Sequence, residues 1–256
     1  MDIFVAITCA DGRLHFATSN SLIAEQEYAV KHGHRLVVMG ICGIPYIDRA
    51  RNSAVDWFLK SDCDRMVFID YDVSWAPGEL CRLALHREPL IAGLYPFKTI
   101  DGKPDYPVEP MVKGYWECDE RGLIKLRHVP TGFLAISREV FAKFRETYPH
   151  RTFMHKKREH HLYFWCPYGM TDHGFPDLYG EDVAFCLEWI TMGGAVWADP
   201  SFKINHHEGR LTYEGRFAEW LEEQRKECAQ DRSIGVDYGT IARRGEPTAK
   251  EAVSAG

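Results

Sequence analysis

Two carboxylates separated by one aromatic residue, Asp70 and Asp72, follow directly on a run of four apolar residues in the sequence MVFIDYD. A short apolar run that follows a polar turn is typical of a buried strand. Side chains at i and i+2 of an extended segment point to the same side, so both carboxylates can face one cation. Mg²⁺ and Mn²⁺ prefer such oxygen ligands, together with the oxygens of a substrate phosphate. Taken alone, the two acids are also typical of a solvated turn after a strand.

Three other polar groups could complete a site around this pair. In chain order the four groups are Ala50-Arg51-Asn52, Asp70-Tyr71-Asp72, Gly180-Glu181-Asp182 and Asn205-His206-His207. The third group opens an amphipathic segment, where acidic residues also complement the helix dipole and therefore have a purely structural explanation.

Alternating strand-like and helix-like segments must position these groups, and this alternation predicts an α/β fold with a mostly parallel sheet flanked by helices. In open sheets of this kind ligands bind beyond the carboxyl ends of the strands, where the acidic pair would lie. We predict strands at 2–8, 35–39, 66–70, 89–95, 133–136, 195–198 and 202–206, and helices at 21–31, 45–60, 79–86, 138–144, 181–192 and 218–230. Two long stretches, 96–129 and 147–179, are predicted to be largely irregular.

Composition is that of an ordinary globular protein, with 256 residues, 45% hydrophobic and 27% charged. The net charge of -6 argues against nonspecific binding to nucleic acid. Eight cysteines without a C-x-x-C pair favour neither a zinc ribbon nor a disulfide framework. The amino terminus has no basic region typical of a signal peptide, and no apolar run approaches the roughly 18 residues that span a bilayer. We therefore expect a cytoplasmic protein.

The chain resembles a nucleotide-sugar glycosyltransferase of GT-A fold, similar to members found in bacteriophages and bacterial gene clusters. The resemblance covers roughly residues 1 to 215, and its stretches fall in family order: ARN, VFIDYDVSW, IAGLYPFK, TGFLAI, YGEDVAFCLEW and GGAVWADPSFKINH. It implies a Rossmann-like mixed sheet in a domain at 1–215. Residues 216–256 would then form a C-terminal tail, helical at first and flexible where its hydrophobic content falls.

The resemblance also implies a metal site. Asp70 and Asp72 match the D-x-D motif, in which the second acid usually ligates Mn²⁺ or Mg²⁺ and the first lies near the ribose or the metal. His206 matches the metal-binding histidine of the family, with the adjacent His207 as the alternative ligand. Tyr71, between the two acids, is assigned to donor binding with Asp70.

The remaining roles implied by the resemblance concern the donor and the acceptor. Arg51 and Asn52 match the segment that lines the nucleotide pocket, and Thr8 lies at the strand end that borders the nucleobase. Asp182, with Glu181 beside it, matches the general base of inverting members. Retaining enzymes carry similar acidic motifs, so the stereochemical outcome stays open. UDP is the commonest donor nucleotide of the fold, which makes a UDP-sugar the expected donor.

Physical chemistry is consistent with these roles. The leaving group of a sugar nucleotide is a nucleoside diphosphate, on which negative charge grows as the glycosidic bond breaks. A cation held by Asp72 and His206 would stabilise this charge by an amount on the order of several kcal/mol. A positioned carboxylate that removes the proton of an acceptor hydroxyl contributes roughly 10²–10⁴-fold.

Two other functions are compatible with parts of the pattern. A nucleotidyltransferase that makes a sugar nucleotide would need a glycine-rich basic loop after the first strand, but the sequence there, TCADGR, has one glycine. A noncatalytic sugar- or nucleic-acid-binding module would be indifferent to Asp182→Asn, whereas an enzyme would lose turnover.

The acceptor is not identified by the sequence. A polysaccharide, a protein and a hydroxymethylated base in phage DNA are the alternatives, and a phage-encoded enzyme would act in the host cytoplasm. The basic segment 151–158 could contact phosphates. The aromatic residues at 163–168 could stack on a sugar or receive a flipped base. The oligomeric state is not predicted.

Overall fold

A computed structural model describes residues 1–99, 103–155, 157–170 and 176–233 of the protein. Within these ranges the α-helices are α1 Phe16–Lys31, α2 Ile47–Lys60, α3 Glu79–Leu85, α4 Arg138–Thr147, α5 Glu181–Thr191 and α6 Phe217–Ser233. The first eight strands are β1 Asp2–Thr8, β2 Arg35–Ile41, β3 Arg65–Asp70, β4 Val73–Ser74, β5 Leu90–Ala92, β6 Glu109–Pro110, β7 Ile124–His128 and β8 Phe133–Ser137. The others are β9 Thr152–His155, β10 Arg158–His161, β11 Tyr168–Met170, β12 Pro176–Leu178, β13 Val196–Ala198, β14 Asn205–Glu208 and β15 Leu211–Tyr213.

The main sheet has eight strands in the order β2-β1-β3-β8-β5-β13-β7-β6. Strand β1 is parallel to β2 and β3, and β13 is parallel to β5, whereas β8 is antiparallel to both of its neighbours. Strand β7 is likewise antiparallel to β13 and to β6, so six of the eight strands run in one direction. The predicted α/β class, with a mixed sheet whose strands mostly share one direction, is confirmed.

Alternation along the central strands builds an apolar core on each face of the sheet. Phe4 and Phe68 pack on one face with the residues of α2, α4 and α5, among them Phe58, Phe141 and Phe185. The odd-numbered neighbours of these strand residues pack on the other face, where α1 and α3 cover them. The helices therefore flank the sheet on both sides, as the sequence predicts.

A small second sheet, in the order β15-β14-β4, matters most for the site. Strand β4 begins one residue after Asp72, and its Val73 pairs with His206 of β14. The backbone N–H of His207 donates to the carbonyl oxygen of Asp72 at 2.9 Å. This pairing brings together two segments that are more than a hundred residues apart in sequence.

The observed elements differ from the predicted ones where tertiary contacts replace local signals. Helix α1 begins at Phe16, five residues before the predicted start, because His15 caps it: its Nδ1 accepts from the N–H of Ala17, and its own N–H donates to the carbonyl of Tyr71. The stretch 147–179, predicted to be irregular, contains the hairpins β9–β10 and β11–β12. Cross-strand pairing stabilises these hairpins, and single-sequence periodicity does not report it.

Helix α6 packs into the main core. Phe217, Trp220 and Leu221 are buried there beside Tyr106 and Trp116. The start of the predicted tail is therefore integrated with the domain. Lys156 of the basic segment, residues 171–175 and residues 234–256 of the predicted flexible tail lie outside the described residues. None of the helices in the described ranges is long and apolar enough to cross a membrane.

Candidate active site

The carboxyl ends of β1 and β3 meet at the centre of the site. Thr8 and Asp70 are register partners in this parallel pair, so both predicted residues lie at the same edge of the sheet. Thr8 is buried, whereas the Asp70 side chain is about one quarter exposed. The backbone N–H of Asp70 donates to the carbonyl of Gly132 at 3.0 Å, which ties this edge to the antiparallel β8.

The Asp70 carboxylate is held by two side chains. The Tyr95 hydroxyl donates to its Oδ2 at 2.8 Å, and a guanidinium nitrogen of Arg51 lies 3.7 Å from its Oδ1. Burial raises the pKa of Tyr95 well above its usual range, and the charges of Asp70 and, less strongly, Asp182 add to the shift. The phenol therefore stays protonated and acts as a permanent donor to Asp70.

Gly132 leaves the space that this arrangement needs. A Cβ atom at position 132 would lie 2.2 Å from Oδ2 of Asp70 and 2.4 Å from the Tyr95 hydroxyl, far inside van der Waals contact. Any side chain here would displace the carboxylate or the phenol. The glycine of the TGFLAI stretch is thus explained by Asp70, the first acid of the D-x-D motif, 62 positions earlier in the sequence.

A buried ion pair joins the acidic strand end to the start of α5. Arg51 of α2 donates to Glu181, the first residue of α5, and its side chain is only 6% exposed. Because the same guanidinium also faces Asp70, it connects two acidic motifs that are distant in sequence. The Nε of Arg51 is buried without a hydrogen-bond partner among the described residues. Glu181 is therefore bound in a structural pair, and the neighbouring Asp182 is the acid with accessible oxygen.

Asp182 lies half-buried at the second position of α5. Its Oδ1 accepts the N–H of Val183 at 2.8 Å. Its Oδ2 has no hydrogen-bond partner within the described ranges, so this oxygen can accept one from a ligand. A Cβ at position 180 would lie 2.8 Å from Oδ1, so the glycine of the GED motif gives this carboxylate room.

The second acid of the D-x-D motif faces His206. Oδ1 of Asp72 is 3.5 Å from Nε2 of His206, and the Asp72 side chain is almost fully buried. Nδ1 of His206 lies 2.9 Å from the carbonyl oxygen of Pro96. Because a carbonyl can only accept, Nδ1 carries the proton, and in the neutral imidazole Nε2 presents a lone pair to the carboxylate. Two acceptors that face each other need either a proton on Nε2 or a cation between them.

His207 points away from this pair. Its Nε2 lies 2.8 Å from the Ser74 hydroxyl and its Nδ1 lies 3.1 Å from the Thr212 hydroxyl, while its ring stacks on His15 at 4.5 Å. Burial, together with the neighbouring histidines, lowers the pKa of His207. Both ring nitrogens are therefore used within the fold, and of the two adjacent histidines it is His206 that faces Asp72.

Lys98 is a part of the site that our sequence analysis did not single out. Its ammonium nitrogen lies 2.5 Å from Oδ2 of Asp72. Burial alone would raise the pKa of Asp72, but the contacts with His206 and Lys98 outweigh it, and the pKa lies below its ordinary value. The lysine and Tyr95 both belong to the IAGLYPFK stretch of the resemblance, which was the available signal for them.

The residues present fit a divalent cation at Asp72 and His206. A histidine whose other N–H is donated to a backbone carbonyl is the usual form of a metal ligand. Two ligands at adjacent corners of an octahedron with bonds of about 2.1 Å lie about 3 Å apart, close to the observed separation. Among the described residues no group of three His, Cys, Asp or Glu side chains converges, so the protein would supply these two ligands and substrate oxygens or water the rest.

Two predicted donor-binding residues have other contacts in the structure. The Asn52 amide is fully engaged with backbone: its Nδ2 donates to Asp48 and Phe164, and its Oδ1 accepts from Tyr163 and Phe164. An amide has two donors and two acceptor positions, so no polar capacity is left for a nucleotide. Tyr71 is half-exposed, and its carbonyl anchors the start of α1.

The aromatic residues expected near the acceptor are divided between the core and the surface. Tyr163 and Phe164 are completely buried, so neither ring is available to stack on a ligand. Trp165 donates to Glu188 at 3.0 Å, and Tyr168 is exposed on β11. Asn52 positions the backbone of the buried pair, which explains why an asparagine follows Arg51 on α2.

No protein-family model matches the chain, and no curated protein has a similar sequence.

Proposed function

We propose that the protein is a metal-dependent glycosyltransferase of GT-A fold that moves a sugar from a nucleotide-sugar donor, a UDP-sugar, to an acceptor hydroxyl. The observation that carries the proposal is the pair formed by Asp72 and His206, whose Nε2 faces Oδ1 of Asp72 while its Nδ1 lies against the carbonyl oxygen of Pro96. The carboxylate oxygen and the Nε2 atom face each other as two cation ligands would, at the sheet edge where α/β proteins bind nucleotides. The neighbouring Asp70, Arg51 and Glu181 form a rigid support beside them.

Each side chain has a defined task in this proposal. Asp72 and His206 would hold Mn²⁺ or Mg²⁺, which supplies Lewis-acid stabilisation to the departing diphosphate. Lys98, a flexible point charge next to Asp72, can turn to a phosphate oxygen when the donor is bound. Asp70, oriented by Tyr95, can accept hydrogen bonds from the hydroxyls of the donor ribose.

Asp182 is the proposed general base. Its Oδ2 has no partner among the described residues, and Asp182 directly follows Glu181 of the buried Arg51–Glu181 pair at the start of α5. Proton removal from the acceptor hydroxyl by this oxygen would accompany attack on the anomeric carbon, with inversion. The rate contribution expected of such a carboxylate is roughly 10²–10⁴-fold.

Donor hydrolysis provides the test. We would measure release of UDP from a panel of UDP-sugars with Mn²⁺ or Mg²⁺, with and without EDTA, for the unsubstituted protein, Asp72→Asn and His206→Ala. Asp62→Asn and His150→Ala, at exposed positions, are the matched controls. Hydrolysis that requires metal and is lost in the two site variants alone would support the proposal. Hydrolysis insensitive to both substitutions, or no donor binding in calorimetry, would overturn it.

A further inference from the structure

A cleft adjoins the Asp72–His206 pair. It has a volume of about 590 Å³ and lies between the chain that follows β5, at Pro96 and Phe97, and the β14–β15 hairpin. Pockets of this size accommodate small-molecule ligands the size of a sugar or a disaccharide. We call it the hairpin cleft.

The register of the hairpin connects this cleft to the candidate cation site. His206 pairs with Tyr213, and Glu208 pairs with Leu211, so these four side chains share one face of the hairpin. His207 and Thr212 pair on the opposite face and are hydrogen-bonded to each other. His206 is therefore the register neighbour of the cleft-lining residue Tyr213, which places the cation site next to the cleft.

The apolar part of the cleft includes exposed side chains. Leu211 is 59% exposed and Phe97 is 46% exposed, and Tyr213, the register partner of His206, also lines the cleft. Burying an exposed apolar side chain under a ligand contributes about 1.5–3 kcal/mol when the burial is complete. Apolar walls with a few polar groups are the usual composition of a site for an organic ligand.

The polar part of the cleft favours a neutral ligand over a polyanion. Arg216 is the one cation among the lining residues that the structure describes, and it is paired with Glu214. Glu208, which accepts from the Tyr213 hydroxyl at 3.3 Å, leaves the lining with an excess of negative charge. A phosphodiester chain needs cations at its phosphates, whereas carboxylate oxygens accept hydrogen bonds from hydroxyl groups.

We infer that the hairpin cleft binds the acceptor and that the acceptor is a neutral carbohydrate, whose hydroxyl groups bind Glu208 and whose apolar ring face packs on Leu211 and Tyr213. The role of the bound saccharide as acceptor rests on the proposed function, whereas its binding to the cleft does not depend on catalysis. Of the acceptors considered from the sequence, a polysaccharide or glycan fits the cleft and DNA does not.

Saturation-transfer NMR provides the test. The probes are a panel of methyl glycosides and disaccharides, and a single-stranded oligodeoxynucleotide. We compare the unsubstituted protein with Leu211→Ala and Glu208→Gln, and use Leu85→Ala as the control, because Leu85 is exposed to a similar degree outside the cleft. Thermal melting shows that each variant is folded. We expect at least one saccharide to bind, with about tenfold weaker affinity in Leu211→Ala and Glu208→Gln and no change in the control.

Three results would overturn the inference: no binding of any saccharide in the panel, saccharide binding that both cleft substitutions leave unchanged, or oligonucleotide binding that they weaken. A competition arm separates the acceptor from the sugar of the donor. A saccharide that stays bound with UDP and Mn²⁺ present but is displaced by the UDP-sugar would assign the cleft to the donor and also overturn it. Donor hydrolysis by the unsubstituted protein is measured separately, so failure of the proposed function is distinguishable from failure of the cleft.

Discussion

The ammonium of Lys98 lies 2.5 Å from Oδ2 of Asp72, while the other oxygen of the same carboxylate faces Nε2 of His206 at 3.5 Å. The lysine is therefore placed where it neutralises the acid in the absence of another cation. Its pKa is raised: burial by itself would lower it, but the contact with Asp72 outweighs burial. The positive charge of this ammonium repels a divalent cation at Asp72 and His206 and therefore weakens its binding.

Lys98→Met should consequently affect metal and donor in opposite directions. Mn²⁺ should bind roughly three- to tenfold more tightly to the free protein, because a partly exposed ion pair that competes with it is worth about 1 kcal/mol. UDP-sugar binding should weaken, because a cation next to the diphosphate is lost. Electron paramagnetic resonance of free Mn²⁺ and calorimetry of donor binding measure the two effects. Lys31→Met, at an exposed position on α1, should change neither; unchanged Mn²⁺ affinity in Lys98→Met would contradict the competition.

Gly132→Ala tests the close packing around Asp70. The added methyl group meets Oδ2 of Asp70 at 2.2 Å, so the carboxylate or the Tyr95 phenol must move. We expect a loss of about 1–3 kcal/mol in the free energy of unfolding, as for overpacking in a core, and a clear loss of donor affinity. Urea unfolding and calorimetry are the measurements. Gly169→Ala is the matched control, because a Cβ there has nothing within 4 Å. Equal behaviour of the two variants would show that the space at Gly132 is not required.

The Arg51–Glu181 pair should be coupled in a double-mutant cycle. Glu181→Leu leaves the buried guanidinium with Asp70 alone at 3.7 Å, and Arg51→Met leaves the Glu181 carboxylate without its partner. Removing one member of a buried pair costs about 3–5 kcal/mol. The double variant should lose less stability than the sum of the single variants, because no uncompensated charge remains at this contact. The exposed pair Arg13–Asp11 is the control and should show little coupling. Additive effects at 51 and 181 would mean that the two side chains are energetically independent.

Asp199 should make stability depend on pH in the acid range. Burial would raise its pKa, but hydrogen bonds from His86 and Ser201 outweigh burial and lower it to about 2. A carboxylate with a depressed pKa in the folded state stabilises the fold above its ordinary pKa near 3.9, and this contribution is lost as pH falls from there to about 2. The shift corresponds to about 2–3 kcal/mol. Asp199→Asn should therefore be less stable than the unsubstituted protein at pH 7, with a difference that shrinks towards pH 2 in urea unfolding. A difference that is constant with pH would contradict this assignment.

Sequence patterns predict the local elements of this fold well where the signal is periodic and strong. Strand β1 has the predicted bounds, and the helix after Gly180 begins at the predicted residue, Glu181. The start of α1 was missed because its cap is His15, whose position is set by the carbonyl of Tyr71 in a distant segment. A cap that depends on a tertiary contact leaves no signal in the nearby sequence.

The sequence by itself determined which residue types could do chemistry and which segments carry them: the acids at the end of β3, the acids at the start of α5 and the two adjacent histidines of β14. Only the tertiary structure decided between neighbours. It turned His206 towards Asp72 and His207 towards Ser74, because a one-residue change in the register of β14 on β4 reverses the face of every side chain.

The tertiary structure also decided contacts that no local pattern contains. The pairing of Arg51 with Glu181, the approach of Lys98 to Asp72 and the space at Gly132 each join segments far apart in the chain. The hairpin cleft likewise exists only because β14 and β15 pair beside the chain that follows β5. Periodicity reports which face of an element is buried, but the partner on that face is chosen by packing of the whole chain, which one sequence does not reveal.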